Sequence, residues 1–279
     1  MSVSGLQFDL HAAGVLAPGL PSLAALRAGA RTAQRPAPVP VVLPAPERLP
    51  ANERRRASPV VRLVLACVEQ VLSDSPFPAQ ALRSVFATDE GTGDVCQQML
   101  QALSTTRQVS PLVFPNSVQN APSGNFSIAW QNRQSATVVS LGLESFASGL
   151  LCAVTEAVTS RAPVLLVAYD PPMTAPINEL LPVVDATATA WVLTARRQTG
   201  LAGPTGLTPG LATFSLDLAP GQGRLPSPWP PWMPARWSAN SSARGLATLG
   251  LLDAPAGSVM DLTLGGQMLT LRRITGAEA

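Results

Sequence analysis

Apolar and polar positions along the chain fall into two periods. Residues 135–141 (SATVVSL) form a β-branched run of strand length, while residues 145–158 (SFASGLLCAVTEAV) carry small and apolar side chains at helical spacing. A sharp strand-to-helix turn is therefore expected at 142–145. Such an elbow presents one side chain at a helix N-terminus, where free N–H groups and the helix dipole stabilise negative charge. Residues 163–168 (PVLLVA) then read as a buried parallel strand that completes a β-α-β unit. Upstream, residues 59–72 place Val60, Leu63, Val64, Cys67, Val68 and Val71 on one broad helical face, as a layer covering a sheet requires.

Residues 6–29 read as a strand, a turn at 17–19 and a helix opening at Pro21. Residues 84–88, 183–197 and 212–218 read as further strands, and 257–273 as a hairpin around Gly265 and Gly266. Two stretches have no period. Residues 35–50 (RPAPVPVVLPAPERLP) are too proline-rich for a helix or a central strand and imply an extended surface connector. Residues 226–237 (PSPWPPWMPARW) form an aromatic-proline loop, whose Trp229, Trp232 and Trp237 suit packing within the protein or against a subunit better than ligand stacking. The loop DEGTGD at 89–94 lacks both the GxGxxG spacing and a GK[ST] ending, and its acids would repel phosphate. Gly91 and Gly93 are expected there as positive-φ turn residues.

Three segments together resemble the N-terminal half of β-ketoacyl synthases. They are NAPSGNFSI at 120–128, which looks like the segment ahead of that family's elbow strand, VFATDEGTGD at 85–94, and LPANERRRASPVVRLVLACVEQVL at 49–72. The resemblance spans about residues 15–195 and is stronger to the chain-length factors, in the short form found with aryl-polyene-type pathways. It implies a thiolase-like α/β fold with its N-terminal half largely complete and its second half truncated or replaced. The implied organisation is a ketosynthase-like domain at 1–200 and a short C-terminal extension at 201–279.

The resemblance also shows what is missing. Where a ketosynthase carries its cysteine nucleophile, this chain has Glu144, or Leu143 in a register one residue earlier. Condensation in that family further uses two histidines and usually a lysine. Here the single histidine is His11, and all nineteen basic residues are arginine. Glutamate cannot replace a thiolate, because its acyl derivative is a hydrolysable anhydride. Glu144 also has a simpler reading as a helix-capping carboxylate. The family's interface segment maps onto 111–125, with Phe114 as the side chain that reaches toward a partner's acyl tunnel; otherwise Phe114 would fill the core of its own chain. Asn120, in the segment ahead of the strand, and Ser135, Thr137 and Val139, on a strand 135–141 that would pair antiparallel across a two-fold, are the other expected tunnel or interface residues.

The function implied is a non-catalytic subunit that forms a heterodimer with a ketosynthase and limits chain length sterically in polyketide, aryl-polyene or fatty-acid-like biosynthesis. The competing reading is an acyl hydrolase or decarboxylase working through Glu144 or Ser145, although GLESFASG is not GxSxG. A net charge of +2 with scattered arginines gives no nucleic-acid footprint, and the run at Arg54, Arg55 and Arg56 suits either a solvated face or an acidic acyl carrier protein. No run of 18 apolar residues predicts membrane insertion, and no signal-like N-terminus is seen, so a cytoplasmic location is expected. Cys67, Cys96 and Cys152 are odd in number and widely spaced, which predicts no disulfide framework, metal or cofactor. Cys152 reads as a core residue rather than a displaced nucleophile.

Overall fold

Fourteen residues, Val3–Leu16, form β1, an apolar strand flanked on both sides by others. The computed structural model describes residues 3–196, 210–221 and 223–274. The other strands are β2 (Arg83–Ala87), β3 (Ala136–Val139), β4 (Val164–Asp170), β5 (Thr187–Ala195), β6 (Ala212–Pro220), β7 (Val259–Leu264) and β8 (Gln267–Ile274). They make one sheet in the order β3-β2-β4-β5-β1-β6-β8-β7. β2 runs parallel to both β3 and β4, and every other pairing is antiparallel.

Among the described residues, seven helices accompany the sheet: α1 (Leu23–Thr32), α2 (Ala51–Arg56), α3 (Pro59–Ser73), α4 (Gly93–Thr105), α5 (Ala121–Trp130), α6 (Ser145–Ser160) and α7 (Ser241–Thr248). α1, α6 and α7 cover one face and α3 and α5 the other. β4 shows why both faces are closed. Its Val164, Leu166 and Ala168 enter the core under α6, while Leu165, Val167 and Tyr169 enter the core under α3, so the strand is apolar at every position up to Asp170. α3 starts where Ser58 accepts from the Val61 N–H and Pro59 occupies the first turn, and its six expected core residues are all buried. α6 lies close on β2 because residue 149 is glycine: a side-chain carbon there would stand 2.6 Å from the Ala87 Cβ.

The hairpin at 265–266 and the turn at 17–19 form as expected; of the segment 35–50, residues 35–46 carry no helix or strand, while 47–49 form a turn. Trp232 and Trp237 are buried and Trp229 packs against the same core, so the aromatic-proline loop turns inward. The Trp237 indole donates to Asp185 Oδ2 at 2.7 Å.

Other expectations need correction. The strand expected over 135–141 is only Ala136–Val139, because Leu141 bridges Leu143 within the turn. β3 and β4 are not neighbours, since β2 lies between them. Gly91 has a φ of +76°, but Gly93 opens α4 without positive φ. A side chain at 93 would instead meet Glu90 Oε2 and Met173 Sδ, each at 2.7 Å. NAPSGNFSI is helical from Ala121 onward. The expected boundary at 200–201 lies outside the described residues; beyond them, β6 bonds directly to β1 and extends the same sheet. Among the described residues, no helix is long and apolar enough to cross a membrane.

Candidate functional site

β3 ends at Val139, and three residues later Gly142, at φ +59°, reverses the chain into α6. Glycine adopts this conformation at no steric cost, which favours the elbow at this point. The turn is closed by its own groups. Ser145 Oγ accepts from the Leu141 N–H at 2.8 Å and donates to the Gly142 carbonyl at 2.7 Å. The Ser145 N–H donates to the same carbonyl at 3.1 Å, and the Phe146 N–H donates to Ser241 Oγ at 2.7 Å. The first two N–H groups of α6 are therefore occupied, although such groups would otherwise be free to hold an anion.

The two candidate nucleophile positions diverge here. Leu143 is 43% exposed and points out of the turn. Glu144 stands at the start of α6 without making a side-chain capping bond, contrary to the capping expectation. Its Oε2 instead accepts from the Gly265 N–H in the β7–β8 turn at 2.8 Å. The C-terminal strands and α7 thus hold the elbow from two directions.

Three carboxylates gather beside it. Asp170 ends β4 fully buried, with Oδ1 accepting from the Asp89 N–H at 2.8 Å and Oδ2 from the Ser242 N–H at 2.6 Å. Burial pushes its pKa up, opposed by those bonds. Asp89 is pushed up to about 6, by burial first and by the Asp170 and Glu90 charges next. A side-chain carbon at 142 would lie 3.8 Å from Asp89 Oδ1, so this carboxylate faces the elbow. A thiolate or oxyanion at the turn would meet occupied donors and negative neighbours, an environment that opposes its formation. Among the described residues, no group of three or more His, Cys, Asp or Glu is arranged to hold a metal. Asp170, Ser241 and Ser242 were not singled out from sequence; a lone acid ending an otherwise apolar strand was the available signal.

His11 lies on β1, four strand spacings from β3, or about 19 Å across the sheet. Its Nε2 meets Thr194 Oγ1 at 2.9 Å and its ring is edge-on to Phe77. Burial lowers its pKa, with Asp9 opposing. Cys152 is half-buried, and burial followed by Glu156 raises its thiol pKa, as suits a packing residue.

Phe114 occupies a 3₁₀ turn, Phe114–Asn116, and is 57% exposed, so it does not fill the core of its own chain. Asn120, Ser135 and Thr137 are exposed and Val139 is half-buried. Leu100, Leu103, Leu112, Val118, Ile128 and Leu141 are exposed as well. Thr92 Oγ1 donates to the Ser117 carbonyl, which ties the start of α4 to the Phe114 segment, and Asn116 Nδ2 donates to the Arg56 carbonyl of α2. β3 has no partner on its outer edge among the described residues. At the opposite edge, the Ser227 N–H donates to the Asp261 carbonyl of β7 at 2.9 Å and partly covers that strand.

The sequence profile described as "Beta-ketoacyl synthase, N-terminal domain" matches residues 29–209. No curated protein shows significant sequence similarity to the chain. Among solved structures, the chain is similar to one in the ketosynthase (ApeO) in complex with its chain length factor (ApeC) from Xenorhabdus doucetiae, at 22% identity and a TM-score of 0.69, covering 96% of this chain and 100% of that one. The ishigamide ketosynthase/chain length factor gives 14% identity and a TM-score of 0.69, covering 97% and 100%. A type II polyketide synthase acyl-carrier protein in complex with its ketosynthase, AntDE:AntF, gives 10% identity and a TM-score of 0.70, covering 97% and 99%. At these identities the likeness is one of fold.

Proposed function

The chain belongs to the β-ketoacyl synthase family by its match over residues 29–209, and from that premise we propose that it is a non-catalytic chain-length-factor subunit of a ketosynthase heterodimer. The observation that carries this reading is the elbow. The first two N–H groups of its helix are bonded within the chain, Glu144 is tied to the β7–β8 turn, and the Asp89 carboxylate faces the turn at Gly142.

The hydrolase alternative loses its support at Ser145, which is fully buried with its hydroxyl bonded to the Leu141 N–H and the Gly142 carbonyl of the turn. The interaction face supports the subunit reading. An edge strand without a partner beside exposed apolar side chains suits addition of a second chain's strand. Phe114 would then project into the partner's acyl tunnel and halt extension by steric overlap, in a polyketide or aryl-polyene-type pathway. The arginines of α2, anchored next to the Phe114 segment through Asn116, would face an acidic acyl carrier protein.

Size-exclusion chromatography of the chain expressed alone and together with a candidate partner ketosynthase tests this. Self-association alone and a one-to-one complex on co-expression are expected. A stable monomer that ignores the ketosynthase would overturn the proposal.

A further inference from the structure

The proline-rich segment and the arginines near it take no part in the elbow, yet they enclose a space. Between residues 44–48 of that segment, α3 and α5 lies a half-open cavity of about 410 Å³. Small-molecule sites commonly measure roughly 300–1,000 Å³. Its walls are largely apolar, with Pro44 and Pro46 on one side and Leu65 and the Trp130 indole on the other.

Charge around the cavity is uneven. Arg48 forms a two-pronged pair with Glu69 at 2.7 and 2.8 Å, and its guanidinium lies 5.4 Å from the centre of the Trp130 ring. Glu47 is paired with Arg54. Arg62 differs: its Nε donates to the Ala57 carbonyl at 3.2 Å, and among the described residues its terminal nitrogens meet neither a carboxylate nor another acceptor. A guanidinium fork therefore stands unneutralised on the wall of an apolar slot. Its planar geometry matches a carboxylate through two parallel N–H···O bonds. The indole and the prolines match a flat apolar body.

We propose that this cavity binds a small monocarboxylate with an aromatic body, with Arg62 holding the carboxylate and the Trp130 side of the slot holding the ring. The site belongs to the α3/α5 layer, across the sheet from α6. Ligand binding there and the state of the elbow are therefore separable.

Isothermal titration of the full chain with benzoate, hexanoate and benzyl alcohol tests the assignment. Benzoate is expected to bind, with benzyl alcohol weaker by about tenfold or more, because loss of a charge-assisted bond to the half-buried Arg62 guanidinium has effects of that size. Hexanoate is expected to be weaker than benzoate. Arg62→Gln should lower benzoate affinity by about tenfold to a hundredfold, and Arg62→Lys should restore part of it. No benzoate binding at about 10 mM, equal binding by Arg62→Gln, or equal binding of benzyl alcohol would overturn the proposal; equal binding of hexanoate would overturn the aromatic assignment. Because Arg62 also holds the Ala57 carbonyl, the comparison of benzoate with benzyl alcohol on the unaltered protein stands even if the Gln variant misfolds.

Discussion

Phe114 presents an aromatic ring to solvent from a 3₁₀ turn that no core contact requires it to occupy. If that ring closes a partner's tunnel, Phe114→Ala opens the volume of a few methylene groups and the assembled complex should release longer chains, while Phe114→Trp should shorten them. Mass spectrometry of carrier-bound products reads the shift, and unchanged lengths in an intact complex would reduce Phe114 to a surface residue. Asp89 makes a second prediction, in pH. Its pKa is raised from 3.8 to about 6 in the folded protein, so between those values the native state holds more protons than the unfolded one. Stability contributed by this group is therefore greatest at acid pH and falls as pH rises through 4 to 6. Asp89→Asn keeps the backbone N–H that serves Asp170 and removes the charge. It should be more stable than the parent at pH 7 by on the order of 1–2 kcal/mol and indistinguishable near pH 4. Thermal midpoints at the two pH values decide this. Asp253 acts with the opposite sign: its bonds to Arg27, and then Arg31, hold its pKa below the usual range, so its contribution is lost as pH falls below about 4.

In β3, the Ser135 and Val139 carbonyls accept from the Ser84 and Thr88 N–H groups of the β2 side at 3.0 and 3.1 Å. Backbone groups alternate along a strand, so those of Ala136 and Val138 face the free edge. Ala136→Pro should leave the β2–β3 ladder in place and remove an outward donor, whereas Thr137→Pro should break the ladder itself. Co-purification with the ketosynthase should fall sharply for Ala136→Pro while circular dichroism stays unchanged; undiminished co-purification would mean that the edge is not the joining surface. How much of this was legible in sequence depended on where each element finds its partners. β4, α3 and the 265–266 hairpin declare themselves because their apolar periods are answered within the chain. α4 did not, because Leu100 and Leu103 stay exposed and have no core here to match. α5 was hidden by the proline, serine and glycine of its first turn, a composition that reads as loop. At the elbow, the glycine and the missing cysteine were readable. The Asp170 and Ser241 bonds were not, since they join backbone N–H groups far apart in sequence, 72 residues for Ser242 to Asp170 and 95 for Phe146 to Ser241.

Residues 212–274 are bound into the same sheet and core as the rest. They supply β6 alongside β1, the α7 residues that anchor the elbow, and buried leucines at 246, 249, 251, 252, 269 and 271. A chain ending at residue 210 would expose the second edge of β1 and open the core under α6, so it should not fold. A soluble, helical product from such a truncation, judged by circular dichroism and thermal melting, would show that the N-terminal region stands alone. The central place of β1 has a further consequence for biogenesis. This strand is synthesised well before its two neighbours, β5 and β6, which begin at Thr187 and Ala212. At translation rates of roughly 5–20 residues per second, an apolar fourteen-residue segment waits on the order of 10–40 s for the first of them. Over that interval β1 lacks both of its sheet neighbours, and the strands on either side of it are joined into one sheet only once β5 and β6 have been made.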